Sequence, residues 1–300
     1  MHEFTTLLAQ HAHDVEKRLD MLLNHSVQEG EIARPEILIK AMRHGVLNGG
    51  KRLRPFLVIQ SAALFDVPPE QSLDVGVALE CLHCYSLIHD DLPAMDNDTL
   101  RRGQPTVHTA FDEATAILAG NALLTFAFEI IAHKADTLTP ETRINLITAL
   151  SQAAGLGGMV GGQMLDIEAE NKPQNENTII TLQRMKTAAL ISFACQAGAI
   201  IGNASQAQIE QLATFGAHIG LAFQLADDIL DVTASTQILG KTAGKDRTAN
   251  KATLINLYGI QKAQKKRDDL IVEAEELLYP FGTKAQPLKQ AARFIITRKN

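Results

Sequence analysis

The chain has no tryptophan, and only three tyrosines and three cysteines among its 300 residues. Three cysteines cannot pair completely, and their spacing is not that of a zinc site with two cysteine pairs. Cys81 and Cys84 read C-x-x-C, but within what looks like a continuous helix and without a second pair. These two are expected to be small buried residues rather than a metal or redox site, and a reducing cytoplasm fits the cysteine usage. Alternating runs of strand type are nearly absent, which removes the main signal for a sheet fold. Proline and glycine are not in excess, and no Ser/Gly-rich linker divides the chain, so a single domain over 1–300 is expected.

Positive charge is also in short supply. The formal net charge is −6, which argues against nucleic acid as the main partner but leaves room for a local phosphate-binding patch. The N-terminus lacks the basic start and unbroken apolar core of a signal peptide. The longest apolar run, 114–132, is broken by Asn121 and Glu129 and has no basic anchors at its flanks. It reads as a helix buried in a bundle, with no stable membrane insertion.

What remains is helix. Apolar residues recur at three- and four-residue spacing almost throughout, interrupted at "NGGKRLRP", "FDVPPE", "DLPAMDNDTLRRGQP", "TLTPET", "NKPQNENT", "IIGNASQ" and "TASTQILGKTAGKDRTANK". The segments between these breaks suit an all-α bundle of ten or more helices around a central cavity. Ligand sites in such folds form from side chains on facing helices.

Two acidic clusters stand out. Asp227, Asp228 and Asp231 read D-D-x-x-D, which on a helix places Asp227 and Asp231 one turn apart with Asp228 beside them. The surrounding sequence, "LAFQLADDILDV", is otherwise apolar, so unpaired carboxylates there would be costly. A hard cation such as magnesium resolves that cost, because it takes oxygen ligands and shares them with substrate phosphate. Asp90, Asp91 and Asp96 form the second cluster, with Pro93 expected to end or loosen the helix so that Asp96 curls back toward the pair. "DNDTLR" faintly resembles a calcium loop, and "HD" at 89–90 a metal-dependent phosphohydrolase, but both matches are weak. Two such clusters suit several magnesium ions clamping a diphosphate, which then becomes a good leaving group. Lys51, Arg52 and Arg54 of "GGKRLRP", with Arg101 and Arg102 of "LRRG", are the cations available for a second phosphorylated substrate.

Taken together, "GGKRLRP", "LIHDDLPAMDND", "LRRGQPTVH", "GGQMLDI", "MKT", "FQLADDILD" and "LGKTAGKD", in that order, closely resemble the trans-isoprenyl diphosphate synthases. The four-residue gap between Asp91 and Asp96 is similar to that of the bacterial farnesyl diphosphate synthase subgroup. The resemblance implies the isoprenoid synthase fold and a homodimer. It also implies about three Mg2+ per site, held by Asp90, Asp91, Asp96, Asp227, Asp228 and Asp231. By the same resemblance Arg101 contacts the allylic diphosphate (dimethylallyl or geranyl), while Lys51, Arg54, His83 and Arg102 bind isopentenyl diphosphate without metal. Lys186, Thr187, Gln224 and Lys241 line the reaction centre. Tyr85 and Ser86, about a turn before Asp90, are the expected chain-length residues. The tyrosine ring favours a fifteen-carbon product, with a geranylgeranyl synthase as the alternative and a class I terpene cyclase behind it. Thr99 and Asn121 stand where the family often has aspartate, and "KATLIN" departs from its usual loop. The basic C-terminus "ITRKN" is either a flap over the isopentenyl site or a frayed tail.

Overall fold

A computed structural model describes residues 2–169, 172, 174–238 and 253–297. They are almost wholly helical and fall into two compact units, Met1–Ile147 and Thr148–Asn300. The first unit holds α1 (His2–Leu22), α2 (Glu36–Val46), α3 (Leu53–Ala63), α4 (Pro69–Asp90), α5 (Val107–Ala110) and α6 (Glu113–Glu129). Helix α7 (Pro140–Ala154) crosses the boundary between the units. The second unit continues with α8 (Met159–Ala169), α9 (Glu176–Gln183), α10 (Ala189–Ile201), α11 (Gln206–Ile238), α12 (Leu254–Tyr258), α13 (Ile260–Leu277) and α14 (Gln286–Thr297).

In the first unit α4 packs against α3 and α6, which explains why it is apolar nearly all round. Phe56, Leu57, Val75, Leu79, Leu82 and Leu123 lie fully inside. The helix starts on Pro69, whose fixed φ suits a first turn, and ends at Asp90, close to the stop expected from Pro93. Its aspartates are thereby delivered to the open end of a rigid core element. Helix α6 begins on an Asp112 cap that accepts the Thr115 amide. The expectation that 114–132 is buried all round needs correction. Ala116, Ala119, Leu123 and Phe126 are buried, whereas Ile117 and Leu118 face outward, because α6 is covered on one side only. By length and composition, two stretches could cross a membrane: Glu113–His133 and Pro140–Ala169.

In the second unit α11, about 50 Å long, is the central element and packs against α10 and α13. Between α9 and α10 the chain makes a π-helical turn at Arg184–Ala188. The wider turn inserts a residue and re-aims the side chains that follow, a device common at functional sites. Glycine makes the close packing here possible. A Cβ on Gly162 of α8 would lie 2.2 Å from the Lys186 backbone nitrogen, closer than any real contact.

All three cysteines are free and buried, as was expected of Cys81 and Cys84. Burial, then the Glu80 carboxylate, pushes the Cys84 thiol up to about 12, so it is chemically quiet.

Candidate active site

In the first unit the chain turns back on itself after α4. The Asp96 amide donates to the Asp90 carbonyl at 2.8 Å, and the Asp98 amide to the Asp91 carbonyl at 3.1 Å. Asp96 is thus returned toward the pair, as Pro93 led us to expect. Asp91 is buried, and Arg101 grips it with Nε at 2.9 Å and Nη2 at 2.6 Å from Oδ1, Nε also reaching Oδ2 at 3.0 Å. Burial raises the Asp91 carboxyl above its ordinary range, and the arginine offsets that only in part. A short hairpin, Leu100–Arg101 with Gln104–Pro105, presents Arg101. Both residues of its turn, Arg102 and Gly103, have positive φ, as the tightest hairpins require. Arg102 therefore points elsewhere, donating to Asn48 Oδ1 at 3.1 Å and to the Gly49 carbonyl. Gly50 has φ +125°, and a Cβ there would strike the Arg102 guanidinium, so the glycine is needed for this approach.

Arg54 Nη1 lies 3.2 Å from His83 Nε2. Burial, then the fields of Arg54, Arg102, Arg101 and Arg52, hold the imidazole well below its ordinary value, so it is neutral and accepts the arginine proton. Lys51 is exposed on the same turn. Arg52 behaves differently and corrects the idea that the whole "KRLR" run is available for phosphate. Its left-handed backbone (φ 47°) sends the side chain inward, to Glu80 at 2.7 Å, Glu16 at 3.2 Å and the Val46 carbonyl at 2.5 Å. It is a buried strut that ties α1 and α4 to the loop.

Tyr85 is buried, its ring packed edge-on against His89 at 5.6 Å. His89 in turn sits in the notch left by Gly120 of α6. Ser86 donates its hydroxyl to the His83 carbonyl at 2.8 Å, a bond internal to α4.

The second unit gathers a separate set. Thr187 Oγ1 donates to Gln224 Oε1 at 3.0 Å, and Gln224 Nε2 donates to Asp228 Oδ1 at 2.9 Å. Lys186, carried on the π-helical turn, pairs with Asp166 at 2.6 Å. Asp227 and Asp228 lie on α11, and Asp231 follows one turn after Asp227 on the same helix. Lys241, the "LGKTAGKD" segment and residues 298–300 of the C-terminal "ITRKN" lie outside the described residues. Two contributors escaped the sequence reading. Asp166 lies within "GGQMLDI", a motif noticed but given no role. Gln183, which donates to Asp228 Oδ2 at 3.1 Å, carries no local signal at all.

Among the described residues no three His, Cys, Asp or Glu side chains already converge on one point. The donor chemistry still suits a hard divalent cation, since both sets offer only carboxylate oxygens and the loop brings Asp96 back to Asp90.

Residues 35–278 match the polyprenyl synthetase family. The chain belongs to that family. A farnesyl diphosphate synthase from Bacillus subtilis is 42% identical over 297 residues, covering 99% of this chain and 98% of the relative. A geranylgeranyl diphosphate synthase from Cyanophora paradoxa is 39% identical, with 93% and 92% covered. The crystal structure of an apo FPP/GFPP synthase from Zymomonas mobilis superposes with a TM-score of 0.87 at 41% identity, covering 98% of this chain and 99% of that one. Membership makes the protein a prenyltransferase of the trans-prenyl diphosphate synthase type with an all-α fold.

Proposed function

We propose that the protein is a magnesium-dependent farnesyl diphosphate synthase. It joins isopentenyl diphosphate head-to-tail to dimethylallyl and then geranyl diphosphate, by ionisation, condensation and elimination. The observation that carries this reading is Arg54 3.2 Å from a buried, neutral His83, with Arg102 presented beside the same Gly49–Gly50 turn. A cation-rich patch of this kind holds a phosphorylated second substrate without metal. A terpene cyclase, which ionises one prenyl diphosphate, needs no such patch for a second substrate, and a phosphohydrolase would release phosphate without isopentenyl diphosphate.

In this reading Lys51, Arg54, His83 and Arg102 bind the isopentenyl diphosphate, and Arg101, Lys186 and Lys241 reach the allylic diphosphate. Asp90, Asp91 and Asp96, with Asp227, Asp228 and Asp231, would hold three Mg2+, which when bound neutralise charge on the leaving diphosphate. As the allylic C–O bond breaks, the Thr187 hydroxyl and Gln224 carbonyl oxygens stabilise the carbocation without attacking it. The isopentenyl double bond forms the new C–C bond, and the departed diphosphate takes the proton that is lost. Residues 1–300 serve as one catalytic domain.

The buried Tyr85 ring supports a fifteen-carbon product. A twenty-carbon product is the second reading, favoured by the similarity to a geranylgeranyl diphosphate synthase. The outward Ile117 and Leu118 of α6, 43% and 58% exposed, support a homodimer face rather than a membrane span. The buried cysteines suit a cytoplasmic enzyme.

The test is incubation of the purified protein with Mg2+, geranyl diphosphate and isopentenyl diphosphate, followed by product chromatography. A farnesyl product is expected, and Tyr85→Ala should shift it to twenty carbons or more. Absence of elongation would reject the synthase, and an unchanged Tyr85→Ala product would reject the tyrosine floor.

A further inference from the structure

Gln183 closes α9, immediately before the π-helical turn that carries Lys186 and Thr187. It is 5% exposed, and its Nε2 donates to Asp228 Oδ2 at 3.1 Å. Gln224 Nε2 donates to the other oxygen of the same carboxylate at 2.9 Å. The two donors come from different helices, one residue 45 positions before Asp228 and the other a single turn before it on α11. Asp228 is thus gripped at both oxygens, and rotation about its last torsion would break one or both bonds.

Gln183 accomplishes this with one amide N–H and without its carbonyl oxygen. Its Oε1 is buried and finds no partner among the described residues. A buried carbonyl left in that state is unfavourable, and an apolar side chain of the same shape would fill the position without that penalty. Packing therefore does not account for a glutamine here; the bond to Asp228 does. The amide also orients without bringing a charge, unlike a lysine or an arginine, which would compete with a metal for the carboxylate.

We propose that Gln183 is a positioning residue that fixes the Asp228 carboxylate for divalent-metal binding, with Gln224 as its counterpart on the opposite oxygen. The proposal rests on the reading of Asp228 as a metal ligand. Groups behind the coordinating atoms commonly change metal affinity by about 10- to 100-fold.

Gln183→Met and Gln183→Leu keep an apolar body of similar size and remove the donor. Mn2+ binding followed by electron paramagnetic resonance, with inorganic diphosphate present, should be weakened about 10-fold in both. The KM for isopentenyl diphosphate should stay within about twofold of wild type, since its proposed ligands lie in the other unit. Circular dichroism melts identify a variant that fails to fold, and the other then supplies the reading. Mn2+ binding equal to wild type in a folded variant would overturn the proposal, as would a matching rise in the isopentenyl diphosphate KM. The Mn2+ readout needs no turnover, and prenyl elongation by the wild-type protein tests the enzyme reading separately.

Discussion

Beyond the end of α4, Asp91 is held by an arginine, whereas on α11 Asp228 is held by two glutamine amides. Both arrangements orient a carboxylate, but they differ in what they add. A guanidinium brings a full positive charge and is itself a good phosphate ligand, so Arg101 on Asp91 can also serve a second anion. An amide supplies direction alone and gains little by leaving. On the proposed reading of Arg101 as a diphosphate ligand, a phosphate that draws on Arg101 would loosen its hold on Asp91. Asp228, by contrast, is oriented within the contact of α9 with α11 by groups that carry no charge.

The largest effects expected are those of removing the carboxylates themselves. Asp91→Asn and Asp228→Asn should each lower kcat by about 10²–10³-fold, since each removes charge that acts on the leaving diphosphate. Steady-state kinetics at saturating Mg2+ checks this, and a loss confined to one of them would mean that only one set serves the reaction. Next in size is Arg101→Gln, for which a fall of about 10-fold or more in kcat/KM for the allylic diphosphate is expected. Arg101→Lys should recover only part of it, because a lysine cannot reproduce the forked grip on Asp91.

Smaller still is an effect on stability from the histidine beside Arg54. His83 is held below its ordinary value of 6.5, first by burial and then by the arginines. Below pH 6.5 the unfolded chain binds a proton there that the folded chain refuses. Stability is therefore lost as pH falls from 6.5 toward the folded value, by at most about 1.4 kcal/mol per pH unit. The buried His11 acts in the same direction. Denaturant melts of His83→Gln between pH 7 and 5 should show a shallower decline than wild type; an equal slope would place the acid sensitivity elsewhere.

Much of this was legible in the sequence, but unevenly. Helical periodicity and the punctuation at Pro93 gave the aspartates their place at the end of a helix, because both are local effects. The Asp91–Arg101 pair was only half readable: ten residues separate the partners, and the hairpin that joins them depends on the positive φ of Arg102. Arg52 was misread with its neighbours. Nothing within "GGKRLRP" says which of its cations turns inward; that is decided by Glu80 and Glu16, 28 and 36 positions away. Gln183 was invisible for the same reason, since its only distinguishing feature is a partner 45 residues later. The one-sided cover of α6 was missed because an apolar run looks alike whether all of it or only one face meets the core.

The difference between the two sets is tested most directly by Mn2+ titration of wild-type protein and Arg101→Gln in the absence of diphosphate. Removing a guanidinium 2.6 Å from Asp91 removes a competing cation, so the variant should bind Mn2+ more tightly, by about 10-fold. Equal or weaker binding by Arg101→Gln would contradict the account, because Arg101 would then impose no cost on metal at Asp91.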